Sequence, residues 1–250
     1  MRGDMFMLAQ LAAYLRDVPM GETYELEREK DRMVFRFADA EVEGKEAWKT
    51  ELTGRGVTNA YAFYALGDRD RGEPYADFVW EGRQGLLTVF GDGRKTYWTV
   101  RSEFDRNVKD KQHPFVYTFT ENDFPTAPAG LPQFANCTEE YRRVLTEIAA
   151  FAEGIGQKYY AERFRKVLAR LTDADVVIPE WTRKHFPRMT TEQFRLYAAS
   201  IDADVFAKEN GWEDEAAAAV KAGRWEEYDR LTKELQWQNK RAELYAANAQ

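Results

Sequence analysis

The chain is short of the residues that most chemistry is built from. Among 250 residues there is one cysteine, Cys137, and there are two histidines, His113 and His185. A lone thiol excludes an intramolecular disulfide and any multi-thiolate metal site, and it fits a reducing, cytoplasmic setting. The histidines lie far apart and belong to no paired-ligand motif, so neither a metal nor a cofactor is expected. Long apolar runs are missing too. The most hydrophobic N-terminal stretch, 5–15, follows Asp4 and is interrupted by Gln10. It ends without a small-residue cleavage site and is far too short to span a bilayer. It reads as a structural helix capped by Asp4, with Met7, Leu8, Leu11 and Leu15 on one face, and no membrane partner is expected. Basic excess is also absent. Lys and Arg number 36 against 43 Asp and Glu, a net charge of −7, which argues against a general phosphate-backbone binder.

What is present is the material of a folded core. Hydrophobic residues make up 44% of the chain and aromatics 14%, enough to argue against wholesale disorder. The clearest pattern runs from Asn136 to Leu171. Tyr141, Val144, Leu145, Ile148, Phe151, Ala152, Ile155 and Tyr159 recur at steps of three and four, and Phe164, Val167, Leu168 and Leu171 continue them. Charged residues such as Arg142, Glu147, Arg163 and Lys166 line the other side. Asn136 and Glu139 have capping-box spacing, and Gly154 and Gly156 mark either a kink or a break between two helices.

The first half reads as strands. Segments 23–29 and 32–37 alternate with period two and suggest a hairpin around Lys30 and Asp31, with Met33, Phe35 and Phe37 on one face. A helical turn is expected at 46–52 and a strand at 61–66. Strands at 75–80, 86–90 and 95–100 are joined by two glycine-bearing connections of hairpin length, predicting a meander. A last strand at 115–120 carries Phe115, Tyr117 and Phe119 toward a core. Residues 125–132 (Pro-Thr-Ala-Pro-Ala-Gly-Leu-Pro) form neither helix nor inner strand. The expected fold class is therefore α+β: an N-terminal, mostly antiparallel sheet with one helix over 1–124, a proline-rich connection over 125–137, and an all-helical region over 138–250. Within the last region Thr190 and Gln193 fit a capping box. Asp202 or Asp204 is the expected cap of a short helix ending at Gly211, and helices are expected over 213–222 and 225–246.

Five constellations are candidates for chemistry. Cys137 at a helix start, with His113 as base and Asp123 as orienting acid, would make a nucleophilic triad, because a helix dipole favours a thiolate. The plainer reading is a small buried cysteine. Glu121 and Asp123 could work as paired carboxylates, although 43 acidic residues produce many such pairs by chance. Asp173 with Asp175, and Asp202 with Asp204, offer oxygen ligands, but Asp-x-Asp at helix starts more often serves as capping. Gly91-Asp92-Gly93 is flanked by strands on both sides and reads as a hairpin turn rather than a phosphate loop. The fifth is a basic-aromatic region: Arg163, Lys166 and Arg170 on one helix face, then Trp181, Arg183, Lys184, His185, Phe186 and Arg188. It could grip an acidic partner or a nucleic acid strand.

The resulting expectation is a non-catalytic binding or protein-interaction protein, with another protein or a small ligand at the domain junction. The alternatives are a hydrolase-type enzyme using the cleft residues His113, Glu121, Asp123 and Cys137, and a nucleic-acid-associated protein using the 163–188 region.

Overall fold

A computed structural model describes residues 3–17, 32–64, 84–104, 115–123, 130–206 and 211–248. It is a mixed α/β structure, and the chain divides into two compact units. The first comprises Met1–Gln133, Glu180–Arg188 and Gln250, and the second comprises Phe134–Pro179 and Met189–Ala249.

The first unit is built on a six-stranded sheet of β1 (Arg32–Arg36), β2 (Glu41–Glu43), β3 (Val57–Tyr64), β4 (Gln84–Phe90), β5 (Lys95–Phe104) and β6 (Phe115–Asp123). The strand order is β2-β1-β6-β5-β4-β3. All neighbours are antiparallel except β1 and β6, which run parallel with Phe35 opposite Phe119. The sheet is thus mixed. Helices α1 (Gly3–Leu15) and α2 (Lys45–Gly54) accompany it, and so does α5 (Glu180–His185), where one helix was expected.

Aromatic packing explains where α2 sits. Phe35 stacks on Trp48 of α2 at 4.6 Å and on Phe119 at 4.7 Å, while Trp98 meets Phe37 edge-on at 5.0 Å. These large rings remove more apolar surface from water than aliphatic side chains would, and their offset and edge-on geometries suit their quadrupoles. On the other face of β4, Gly85 lies opposite Phe63. A Cβ there would stand 2.8 Å from the Phe63 ring and 2.7 Å from the Trp98 carbonyl oxygen, so only glycine fits.

Several strand expectations are met and others are corrected. The 86–90 and 95–100 strands pair as a hairpin, with Gly93 at φ +87° and Asp92 Oδ1 accepting from the Arg94 amide at 2.9 Å. The Gly91-Asp92-Gly93 segment is therefore a turn. The 75–80 strand lies outside the described residues, and the other edge of β4 is taken by β3, which makes the meander β3-β4-β5. Segment 23–29 also lies outside the described residues. Both edges of β1 are occupied, by β2 and β6, so the expected hairpin partner is replaced over Val34–Arg36. Val34 is buried along with Met33 and Phe35, which means β1 is covered on both faces rather than one. On β6 only Phe119 is fully buried, whereas Phe115 is 38% exposed at the strand's outer end. Helix α1 buries Met7, Leu8 and Leu11 and starts at Gly3, which puts Asp4 inside its first turn rather than at its cap.

The regular elements of the second unit, among its described residues, are all helices: α3 (Thr138–Gly154), α4 (Lys158–Thr172), α6 (Thr191–Asp202), a 3₁₀ turn at Trp212–Glu215, α7 (Ala216–Lys221) and α8 (Trp225–Asn248). α3 packs on α4 and α8, and α6 packs on the same two. The predicted stripe supplies the core through Tyr141, Val144, Leu145, Ile148, Phe151 and Ala152, met from α8 by Tyr228, Leu231 and Leu235. The glycines break the stripe into two helices. Gly156 takes φ +83°, a left-handed conformation that a β-carbon disfavours. That break resets the helical phase, so Tyr160 faces inward and Tyr159 is left outside.

Helix starts follow local chemistry. Thr190 caps α6 in a full capping box with Gln193. At α3 the N-cap is Cys137 instead. Asn136 sits one residue earlier, where its Oδ1 accepts from the Thr138 amide at 2.8 Å and its Nδ2 donates to Glu192 at 2.6 Å. Asp202 closes α6 rather than opening the next helix. Among the described residues, no helix is long and apolar enough to cross a membrane.

Candidate functional site

The residues of the expected triad fall into different settings. His113 lies outside the described residues. Cys137 is fully buried in the core of the helical unit, one turn before Tyr141. Tyr141 is also fully buried and donates its hydroxyl to Asn239 Oδ1 on α8. Burial holds its phenol well above the usual tyrosine range, and the Cys137 thiol and the Glu243 and Asp202 carboxyls push in the same direction. Cys137 thus stands among apolar core side chains and beside the Tyr141 phenol, the setting of a small buried core residue. Asp123 belongs to the other unit, exposed at the end of β6.

Glu121 is better placed. It lies two residues after Phe119 on β6, on the same face of the strand, and accepts a hydrogen bond from Thr96 Oγ1 at 2.8 Å. Thr96 bonds to Thr88 Oγ1 at 2.7 Å, and Thr88 accepts from the Trp98 indole at 3.2 Å. Thr88, Thr96 and Trp98 are fully buried, so this polar seam crosses β4, β5 and β6 and ends on a half-buried carboxylate. Chains of this kind strengthen each member in a low dielectric and fix side-chain orientation. Glu121 and Asp123 lie two apart on one strand, but Glu121 is turned to the threonines. The Trp48 indole N–H, also fully buried, has no hydrogen-bond partner among the described residues.

One carboxylate of each oxygen-ligand pair is engaged in structural work. Asp173 Oδ1 accepts from the Asp175 amide at 2.9 Å, closing a turn after α4. Asp202 pairs with Arg170. Among the described residues, no group of three or more His, Cys, Asp or Glu side chains is placed to hold a metal ion.

The basic-aromatic region divides between the two units. Arg163, Lys166 and Arg170 lie on α4 of the helical unit, and Trp181, Arg183, Lys184, His185 and Arg188 lie on or just after α5, in the sheet unit. Arg163 donates from Nε and Nη2 to the Asp202 carbonyl oxygen at 3.0 and 2.9 Å, and Arg170 holds the Asp202 carboxylate. Both cations therefore close the C-terminal end of α6, where its dipole is negative. On α5, Lys184 reaches Glu180 at 3.8 Å, His185 is buried with its ring 4.6 Å from the half-exposed Trp181, and Phe186 is buried. Arg183, Arg188 and Lys166 point to solvent.

A surface that sequence patterns did not single out lies at one end of the helical unit. There the α3–α4 turn meets the α7–α8 turn, because the Arg224 guanidinium lies over the Phe151 ring at 4.6 Å and against Gly154. A run of aromatic rings crosses this end. Tyr159 meets Tyr160 at 5.1 Å, Tyr160 meets Trp212 at 5.1 Å, Trp212 stacks on Tyr228 at 5.4 Å, and Tyr228 stacks on Trp225 at 5.6 Å. The inner three are buried, while Tyr159 is 67% exposed, Trp225 48% and the nearby Val220 60%. Trp212 anchors the run by donating to Thr232 Oγ1 at 2.8 Å and accepting at its carbonyl from the Tyr228 hydroxyl at 2.8 Å. Partial burial and the neighbouring Asp214 raise the Glu215 carboxyl pKa, and burial with Glu215 and Tyr159 nearby raises that of Tyr160. No helical period links Tyr159 to Trp225, which is why the sequence alone did not join them. Comparison with protein-family models, curated proteins and solved structures finds no match for the chain.

Proposed function

We propose that this chain is a non-catalytic, cytoplasmic protein-interaction protein of two domains, an α+β domain over 1–124 and a helical domain over 138–250. The supporting observation is the aromatic end of the helical unit, where Tyr159 and Trp225 stand exposed at the two ends of a run of buried rings and Val220 is exposed on α7. Single exposed apolar side chains are ordinary on a soluble protein. A cluster held on a rigid base and rimmed by charge is the usual anatomy of a recognition surface. The lone cysteine suits a reducing compartment.

The second reading, a hydrolase-type enzyme, draws on Glu121 at the end of its threonine seam, since an oriented half-buried carboxylate is the form a general base takes. The nucleic-acid reading is weakened because Arg163 and Arg170 are committed to the end of α6. The deciding test is a panel of chromogenic ester, phosphate, peptide and glycoside substrates. No turnover above a heat-denatured control is expected. Turnover that disappears in Glu121→Gln or Cys137→Ser would end the non-catalytic reading.

A further inference from the structure

We infer that the end of the helical unit formed by the α3–α4 and α7–α8 turns docks a basic, aliphatic-bearing peptide segment of another protein. This rests on the interaction reading and names its surface and the chemistry of its partner. The apolar contacts are Tyr159 and Trp225, each resting on a buried ring, and the exposed Val220 of α7. Such anchors lose little conformational entropy on binding, because Tyr and Trp have two side-chain torsions each and these two already rest on neighbouring rings.

The charges around the anchors select the partner. Two local ion pairs are self-contained: Glu153 with Arg165, and Glu227 with Arg224. Asp214, Glu215, Glu226 and Glu162 make no ion pair among the described residues. Glu162 lies three residues after Tyr159 on α4 and Glu226 follows Trp225 on α8, while the adjacent lysines in the chain are Lys158, before Tyr159, and Lys221, after Val220. The balance is acidic. Glu215 is partly desolvated beside Asp214, so an arriving cation relieves a carboxylate that water serves poorly. Exposed tyrosine and tryptophan faces attract the same cations. An acidic rim repels phosphates and anionic lipid headgroups, which favours a basic peptide over a nucleic acid strand or a membrane surface.

The test is selection of a displayed library of random twelve-residue peptides on the full-length chain, followed by fluorescence anisotropy of the enriched peptides at about 50 and about 300 mM salt. The expected result is enrichment of Lys and Arg beside aliphatic residues, with weaker binding at the higher salt. Affinity should fall at least about tenfold in Tyr159→Ala/Trp225→Ala and by a smaller factor in Glu215→Gln. These side chains are wholly or partly exposed, and circular dichroism will confirm that the variants fold. No enrichment, enrichment without basic residues, or affinities that ignore these variants would overturn the proposal. So would equal binding to phosphatidylserine vesicles, or self-association in sedimentation that the double variant abolishes. Basic peptides that bind but ignore the variants would remove this surface while leaving the interaction reading intact. Substrate turnover would remove that reading itself.

Discussion

Thr232→Val offers a test of the helical core in which the structure sets both size and sign. Thr232 and Trp212 are buried, and the indole Nε1 donates to the threonine oxygen at 2.8 Å. Valine keeps the β-branched shape and nearly the same volume, so neither a cavity nor a change in helix propensity is expected to dominate. What changes is the acceptor. The indole N–H is left buried without its acceptor, a loss of about 1–3 kcal/mol for a stranded buried donor. Trp212→Phe removes that donor and opens space among Phe151, Tyr160, Phe164 and Tyr228, at a cost of about 1–3 kcal/mol. In the Trp212→Phe background, Thr232→Val should then be nearly neutral, giving a coupling of about 1–2 kcal/mol. Urea unfolding followed by circular dichroism and by fluorescence measures all four corners of the cycle. Coincident transitions and a constant m value would license the comparison in a chain of two units. An equal cost for Thr232→Val in both backgrounds would refute the reasoning, because the penalty would then not belong to the indole.

Other sites make equally definite expectations. Gly85→Ala should destabilise by about 1–3 kcal/mol, because its Cβ meets a strand carbonyl that cannot swing aside, while Gly54→Ala at the end of α2, with nothing within 4 Å, should be neutral or stabilising by up to about 1 kcal/mol. Thermal melts of the two variants should move apart, and a shared shift would remove the steric argument. Thr190→Ala should cost about 0.5–2 kcal/mol through loss of the α6 capping box, and Thr190→Ser should recover most of it. Tyr141 predicts an alkaline limit. Its folded pKa lies above the unfolded value near 10, so the stability gained by keeping it neutral is complete below that pH and is lost as the pH climbs past it. Tyr141→Phe should be less stable at neutral pH, with Asn239 stranded, yet show a flatter decline above pH 10; an unchanged slope would assign alkaline unfolding to other groups.

How far the sequence could be read depended on whether a feature was local. The α3–α4 stripe, the Thr190 capping box and the β4–β5 turn all rest on neighbours within a few residues, and the structure has them as periodicity and turn chemistry predict. Misreadings begin where the chain departs from a regular period. A helical count carried across Gly156 puts Tyr159 inward, but the left-handed backbone there changes the phase and Tyr160 takes the place instead. Asn136 looked like a cap because spacing cannot tell the N-cap from the residue before it. Strand pairing was the least visible. Alternation shows that Arg32–Arg36 is a strand, but not that its neighbour is a segment 80 or more residues later. The site was harder still. The cations at 163–170 read as an open face until α6 was seen to end on them, and the exposed aromatic surface joins residues from three elements that no linear pattern connects.

The parallel pairing of β1 with β6 has a bearing on synthesis. Everything from β2 to β5 lies between those two strands along the chain, so β1 emerges from the ribosome long before its inner neighbour exists. Until then Phe35 has α2 and β2 to lean on but no Phe119. Closing so long a loop is entropically slow, and the waiting edge is a template for the wrong strand. The nascent sheet is therefore most exposed to misassembly in the interval before residue 115 is delivered, and a truncation anywhere upstream of β6 would strand the molecule in that state.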